Sequence, residues 1–270
     1  MKNEIINNKF NLSFDKYYIK REAKDINYEE SYWERATDPD GNEREMSSLA
    51  EREHKRKLAK KELEFINSLP SGIILDVGCG NGSILEGVDS RWEKHGVEIS
   101  KYGANKASEF CNIFNGTLIE AKYPDSNFDV VFLFHVLEHM LDPINELIEI
   151  RRVLKTNGYL ILGTPDFDSG CARRYGSNYR MLNDKTHTSL FTNESLDRLL
   201  SDYGFNTLYT DYPFFETEYF TSENLLKLLN KQNLSPPFYG NIITKYAQKM
   251  SLEDVNIKHK YLQELLFKLK

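Results

Sequence analysis

The sequence is short of cysteine, of net basic charge and of long apolar runs. Its three cysteines, Cys79, Cys111 and Cys171, are widely spaced and odd in number, which argues against a disulfide framework or a CxxC metal site and fits a reducing cytoplasm. Lys and Arg total 35 against 41 Asp and Glu, a formal net charge of -6. A general nucleic-acid binder needs a basic footprint to meet phosphates, so no nucleic-acid partner is expected. No stretch approaches the ~18 apolar residues that span a bilayer. The opening MKNEIINNKF also lacks the apolar centre of a secretion signal, so a soluble, cytoplasmic chain without a membrane partner is expected. There is no internal repeat and no low-complexity segment. The composition that is present, 40% hydrophobic and 28% charged over 270 residues, suits one large domain or a core with a smaller attachment.

Apolar runs alternate with amphipathic ones. Residues 43 to 68 carry Leu58, Leu63 and Ile66 at helical spacing with Pro70 just beyond, predicting a surface helix. Ile73 to Val77 reads as a buried strand and Ser83 to Val88 as the start of a helix. Gly96 to Ile99 is a short strand, Lys101 to Phe110 a helix, and FDVVFLF, Phe128 to Phe134, a strand too apolar to have a wet face. Pro143 to Leu154 is a helix closed by Asn157-Gly158, followed by the strand YLILG, Tyr159 to Gly163. Ser195 to Tyr203 is a helix ended by Gly204, and Phe205 to Thr210 a strand. Such alternation means a doubly wound, mostly parallel α/β sheet, with ligands beyond the carboxyl ends of its strands. Past Pro213 the alternation stops, and Glu223 to Asn230 and Leu252 to Leu269 read as helices around Pro236-Pro237.

ILDVGCGNGS, Ile74 to Ser83, packs three glycines into five residues behind a strand. Strand, glycine turn and helix together present bare backbone N–H groups to a ligand. Asp76 lies inside the apolar run, where a carboxylate is costly without donors or a cation. Glu98, 16 residues after Gly82, ends the next strand, where it can accept from both hydroxyls of a ribose. This combination resembles the class I S-adenosylmethionine-dependent methyltransferases, and the resemblance runs from about Leu69 to Phe205, including SNFDVVFLFHVLEHMLDPINELIEIRRVLKTNGYLILGTPD. It implies a seven-stranded Rossmann-like sheet. Asp76, Gly78, Gly80 and Gly82 would lie under the amino-acid end of the cofactor, Glu98 on its ribose, and Thr117 and Leu118 beside its adenine. S-adenosylhomocysteine is the implied product.

His135-Val136-Leu137-Glu138-His139 also fits HxxEH, a zinc-protease signature. Its context argues against that reading: a strand has just ended, Asp142-Pro143 interrupts any helix within a turn, and the motif needs a continuous helix and a third ligand. No metal is expected. On the methyltransferase resemblance His135 stands at the mouth of the fourth strand, near the sulfonium. His139 reads as a partly buried residue with a satisfied ring.

A long insertion, residues 166 to 191, follows the fifth strand on the ligand side. It carries Arg173, Arg174, Tyr175, Tyr179, Arg180 and His187, and arginine forks suit phosphate or carboxylate. Before the core, Tyr17, Tyr18, Arg21, Tyr28, Tyr32 and Trp33 suggest a lid, with a turn at Asp38-Pro39-Asp40-Gly41. Tyr18 and Arg21 are candidate acceptor contacts. His187, then His135, is the candidate general base for a hydroxyl acceptor, because a near-neutral pKa suits that work.

TPDFDSG, RRYGSNYR and THTSLF resemble methyltransferases of bacterial surface-polysaccharide gene clusters, including those of O-methyl phosphoramidate capsule modification. That resemblance implies an anionic, phosphorylated or nucleotide-linked small-molecule acceptor. O-methylation of a metabolite or quinone is the alternative enzyme, and a cofactor-binding scaffold the alternative non-enzyme. A nicotinamide oxidoreductase is disfavoured by GxGxG and the lack of a Tyr-xxx-Lys pair. The expected organisation is an arm and lid over 1–68, a core over 69–212, and a helical extension over 213–270 that leaves pairing with a second copy open.

Overall fold

The computed structural model describes residues 12–22, 33, 36–37, 43–46, 48–213, 241–258 and 260. The expectations for Tyr28, Tyr32, the Asp38 to Gly41 turn, the helix at Glu223 to Asn230 and the segment beyond 260 lie outside these residues. Among the described residues no helix is long and apolar enough to cross a membrane.

The arm contributes short strands β1 (Leu12–Phe14), β2 (Ile19–Arg21), β3 (Ala36–Thr37) and β4 (Glu43–Arg44), then helices α1 (Leu49–Leu58) and α2 (Lys60–Ser68). The single helix expected over 43–68 is thus two, with Ala59 at φ -89° and ψ 21° ending one and starting the next. Ser48 starts α1 because its hydroxyl accepts the Glu51 amide, one of the donors a helix start leaves unpaired. Only α2 packs inward, through Glu62, Leu63 and Ile66.

The core follows as β5 (Ile73–Val77), α3 (Ser83–Gly87), β6 (Glu93–Glu98), α4 (Lys101–Ala107), β7 (Asn112–Asn115), α5 (Leu118–Ala121), β8 (Phe128–Phe134), α6 (Pro143–Val153) and β9 (Leu154–Pro165). The insertion adds α7 (Gly170–Tyr175), α8 (Arg180–Asn183) and β10 (Ser189–Leu190), and the chain continues with α9 (Asn193–Asp202), β11 (Phe205–Asp211) and β12 (Ile242–Lys249).

Seven strands form one sheet in the order β11-β12-β9-β8-β5-β6-β7. The neighbours from β9 to β7 pair in parallel, while β12 runs antiparallel to both β9 and β11. The expected mostly parallel, doubly wound sheet is the one observed. Strand periodicity explains the two faces: Val131 and Leu133 of β8 join one hydrophobic cluster, and Val130 and Phe132 the other. A strand covered on both sides has no polar face, which is why FDVVFLF reads as continuously apolar.

β12 corrects the expectation of a purely helical 213–270. Its Ile243 and Ala247 pack into one cluster and Tyr246 into the other, so the sheet extends past residue 212 and takes in this later strand. The polar residues that obscure the pattern are internal. Lys245 is fully buried, with its ammonium 2.8 Å from Asp197 and donating to Asn193 and Thr210.

A second sheet, β1-β2-β10, joins the arm to the insertion, with Ser189 opposite Lys20 and Leu190 opposite Ile19. Two segments far apart in sequence therefore close over the same end of the main sheet.

Candidate active site

At the carboxyl end of β5 the chain turns through Gly78, Gly80 and Gly82, all at positive φ (72°, 58° and 76°). Side chains are excluded there by space as well as by backbone. A Cβ on Gly78 would lie 2.6 Å from Val136, and one on Gly82 3.0 Å from the Ala107 Cα. The Gly78 and Cys79 amides donate to the Val97 carbonyl at 2.8 and 3.1 Å, tying the loop to β6.

The same contact brings in Glu98, whose Oε2 accepts the Gly80 amide at 2.8 Å and Oε1 the Ser100 amide at 2.7 Å. Burial raises its carboxyl pKa, and those two amides partly offset the rise. Asp76 is 3% exposed and accepts no hydrogen bond among the described residues. Burial first, then Cys111 and Glu98, push its carboxyl well above the usual range. An acid left without donors at a strand end is suited to a cationic or donor-bearing ligand group.

Trp33 of the arm reaches this corner. Its indole N–H donates to Ser100 Oγ at 2.8 Å, and Cβ atoms on Gly80 or Gly103 would meet its ring at 3.0 and 2.7 Å. Of the two residues expected beside an adenine, Thr117 caps α5 in a reciprocal capping box with Glu120. The Leu118 side chain is 1% exposed and turned into the core with Val77 and Val97, so any contact with an adenine would come from its backbone.

His135 closes β8 at φ +57°, a strained value for a residue with a Cβ. Its Nδ1 lies 3.2 Å from Glu138 Oε1, and the other Glu138 oxygen accepts from Thr164 at 3.0 Å. Burial alone would raise the fully buried Glu138, but the His135 hydrogen bond and the neighbouring His139 and His187 outweigh it and hold it at about 2. The segment is a strand end and one 3-10 turn, Leu137–His139, not the continuous helix of a zinc protease. His139 is partly buried, with Nδ1 3.1 Å from the Thr186 carbonyl. In the sequence Glu138 stood out only as the acid of the HxxEH signature, and its role in holding His135 depends on the turn after β8.

The insertion delivers His187 against His139, rings 4.9 Å apart. His187 is 5% exposed, its Nδ1 donates to the Met181 carbonyl at 2.7 Å, and burial and His139 depress it to about 4. So weak and enclosed a base is poorly suited to take an acceptor's proton, which corrects its ranking ahead of His135.

Other acceptor candidates are also structural. Tyr18 is buried against Phe191, ring centroids 5.5 Å apart. Arg21 is buried and donates to the backbone carbonyls of Leu182 and Asp184, clamping the insertion. Tyr179 is 1% exposed, with its hydroxyl donating to the carbonyls of Asp166 or Asn241, each 3.2 Å away. Arg173 is exposed but forks onto Asp168. Arg174 is exposed, and Tyr175 and Arg180 are half-buried.

Comparison with known proteins identifies the family and the fold. A family model described as a methyltransferase domain matches residues 49–210. An uncharacterised methyltransferase of Schizosaccharomyces pombe is 35% identical over 115 residues, covering 36% of this chain and 41% of that protein. A ubiquinone biosynthesis O-methyltransferase of Alkalilimnicola ehrlichii is 32% identical over 110 residues, covering 37% and 44%. The chain thus matches about two fifths of the length of these relatives. A crystal structure of a SAM-dependent methyltransferase from Archaeoglobus fulgidus superposes with a TM-score of 0.56 at 19% identity, covering 73% of this chain and 94% of the other. The chain therefore belongs to the methyltransferase-domain family, and its sheet is the Rossmann-like fold of the class I S-adenosylmethionine-dependent methyltransferases.

Proposed function

We propose that the protein transfers a methyl group from S-adenosylmethionine to an oxygen of a small acceptor. The observation that carries the reading is the contact between Glu98 and the Gly80 amide at 2.8 Å. It joins a candidate ribose-binding acid to a glycine turn where added Cβ atoms would meet Val136, Trp33 and Ala107. A carboxylate has about four lone-pair sites; the Gly80 and Ser100 amides take two and the Ile99 amide also favours the charged form, leaving acceptor capacity for a ribose hydroxyl. Asp76, lacking a donor among the described residues, suits the ammonium at the amino-acid end.

S-adenosylmethionine supplies a methyl group already activated on a sulfonium. The protein's task is to align acceptor and donor and exclude water. His135, at the end of β8, is the imidazole best suited to accept a hydroxyl proton, held in orientation by Glu138.

The narrower reading is an anionic, phosphorylated or nucleotide-linked precursor of a bacterial capsular polysaccharide, methylated on a sugar hydroxyl or a phosphoramidate oxygen. It is supported by the resemblance of the insertion and by Arg174 and Arg180 on it. A metabolite or quinone hydroxyl is the second reading, favoured by the relative in ubiquinone biosynthesis and by the pairing of Arg173 with Asp168. Calorimetric titration tests the donor: S-adenosylhomocysteine binds and NAD does not. Turnover on a panel of nucleotide-linked sugars, phosphorylated sugars and phenolic acceptors separates the acceptor readings, and no product on any of them favours the scaffold.

A further inference from the structure

Glu138, His139 and His187 each offer one ligand atom, and these three atoms lie within 4.8 Å of one another. The first two are neighbours in the turn after β8; the third arrives from the insertion 48 residues after His139. The sequence argued against a metal at HVLEH partly for want of a third ligand, and the fold brings His187 to the two groups already there.

The protonation of the imidazoles is set by their partners. Nδ1 of His139 faces the Thr186 carbonyl at 3.1 Å and Nδ1 of His187 the Met181 carbonyl at 2.7 Å. A carbonyl only accepts, so each neutral ring carries its hydrogen on Nδ1 and its lone pair on Nε2. Metal-binding histidines are commonly held this way, by a backbone acceptor that fixes both tautomer and ring orientation. One further feature favours a cation: Asp184 Oδ2 stands 3.8 Å from His187 Nε2, adding a second carboxylate to a largely buried cluster.

We propose that Glu138, His139 and His187 form a binding site for a divalent transition-metal cation, with zinc the best match to two imidazole nitrogens and one carboxylate. Zinc bonds to such ligands at ~2.0–2.2 Å, which places them about 3.4 Å apart in a tetrahedral shell. The cluster reaches that by closing its widest separation by no more than about 1.4 Å, within the reach of side-chain adjustment. Three protein ligands leave a fourth position open. On the methyl-transfer reading, that position takes the acceptor's hydroxyl oxygen. The O–H bond would then break with its proton passing to His135, which adjoins Glu138, and the oxygen lone pair would form the bond to the methyl carbon as the carbon–sulfur pair returns to sulfur.

The test uses the full chain without an affinity tag, stripped with EDTA and titrated with zinc chloride by calorimetry, with the bound metal counted by elemental analysis. One equivalent per chain is expected, with affinity falling at least tenfold in Glu138→Gln and in His139→Gln. Cobalt substituted at the site gives a visible ligand-field spectrum that changes in His139→Gln. Circular dichroism and S-adenosylhomocysteine titration on the same samples confirm that the variants are folded. Zinc binding equal in the wild type and the Glu138→Gln/His139→Gln double variant, as would follow from binding at other histidines, overturns the proposal. So does failure of the wild type to bind zinc. The S-adenosylhomocysteine titration reports separately on the methyl-donor reading, which can fail while the metal count stands.

Discussion

Glu98 and Gly80 are hydrogen-bonded to each other, carboxylate Oε2 to amide at 2.8 Å, so the acid ending β6 and the turn ending β5 act as one unit. Removing the acid therefore has two effects. On the proposed reading it takes away the acceptor for the ribose hydroxyls, and it frees the Gly80 amide. Hydrogen bonds to charged groups contribute about 1.5–3 kcal/mol each. Glu98→Ala is expected to weaken S-adenosylhomocysteine binding by about ten- to a hundredfold, with Glu98→Gln retaining part of it. Calorimetry reads both, and unchanged affinity in Glu98→Ala contradicts the site.

The glycine turn allows a sharper structural test at Gly82. Its φ is +76°, and a Cβ would lie 3.0 Å from both the Ala107 Cα and Phe110 Cδ2. The Ala107 contact is with backbone, so the neighbour yields only if α4 moves. Left-handed backbone costs about 1–2 kcal/mol and overpacking about 1–3. Gly82→Ala should thus lower stability by roughly 2–5 kcal/mol, visible in a urea melt. Wild-type stability in that variant means the turn is looser than described.

What the sequence made legible was what local pattern encodes. Ile73 to Val77 with its glycines, Glu98 at a strand end and FDVVFLF announce buried parallel strands by apolar run and spacing alone. β12 was hidden because Thr244, Lys245 and Gln248 interrupt its apolar pattern, and the partners that satisfy Lys245 lie on α9 and β11. Side-chain direction was likewise invisible. Arg21, Tyr18 and Tyr179 carry the chemistry of ligand contacts, yet each is buried in structural contacts with segments far away in sequence. The meeting of Glu138 and His139 with His187 depends on the path of the insertion and has no local signature.

Trp33 offers an optical readout of the arm. It is 4% exposed, held to Ser100 and packed on Gly80 and Gly103, whereas the chain's other tryptophan, Trp92, is buried in a core cluster behind the sheet. A ligand settling on Glu98 and Gly80 must touch or displace the Trp33 ring. S-adenosylhomocysteine should change the intrinsic fluorescence of the wild type and leave that of Trp33→Phe nearly unchanged while still binding it in calorimetry. An equal fluorescence response in both proteins contradicts a Trp33 lid.

Asp166, the residue after β9, gives a pH signature of stability. It is 3% exposed, and burial raises its carboxyl to about 6, with the Asp168 amide at 2.9 Å only partly offsetting that. Its reference value is 3.8, so between pH 3.8 and about 6 the folded chain holds a proton that the unfolded chain has released. Stability contributed by this group is fully present below pH 3.8 and is lost as pH rises through about 6. A displacement of about two pKa units corresponds to roughly 3 kcal/mol. Asp166→Asn removes the titration and keeps an oxygen for the Asp168 amide. The variant should match the wild type near pH 4 and exceed it by up to about 3 kcal/mol above pH 6. Urea melts of both proteins at intervals from pH 4 to 7.5 measure the difference, which cancels the other titrating carboxylates; parallel stability curves would mean that Asp166 ionises in the folded protein as it does in the unfolded chain.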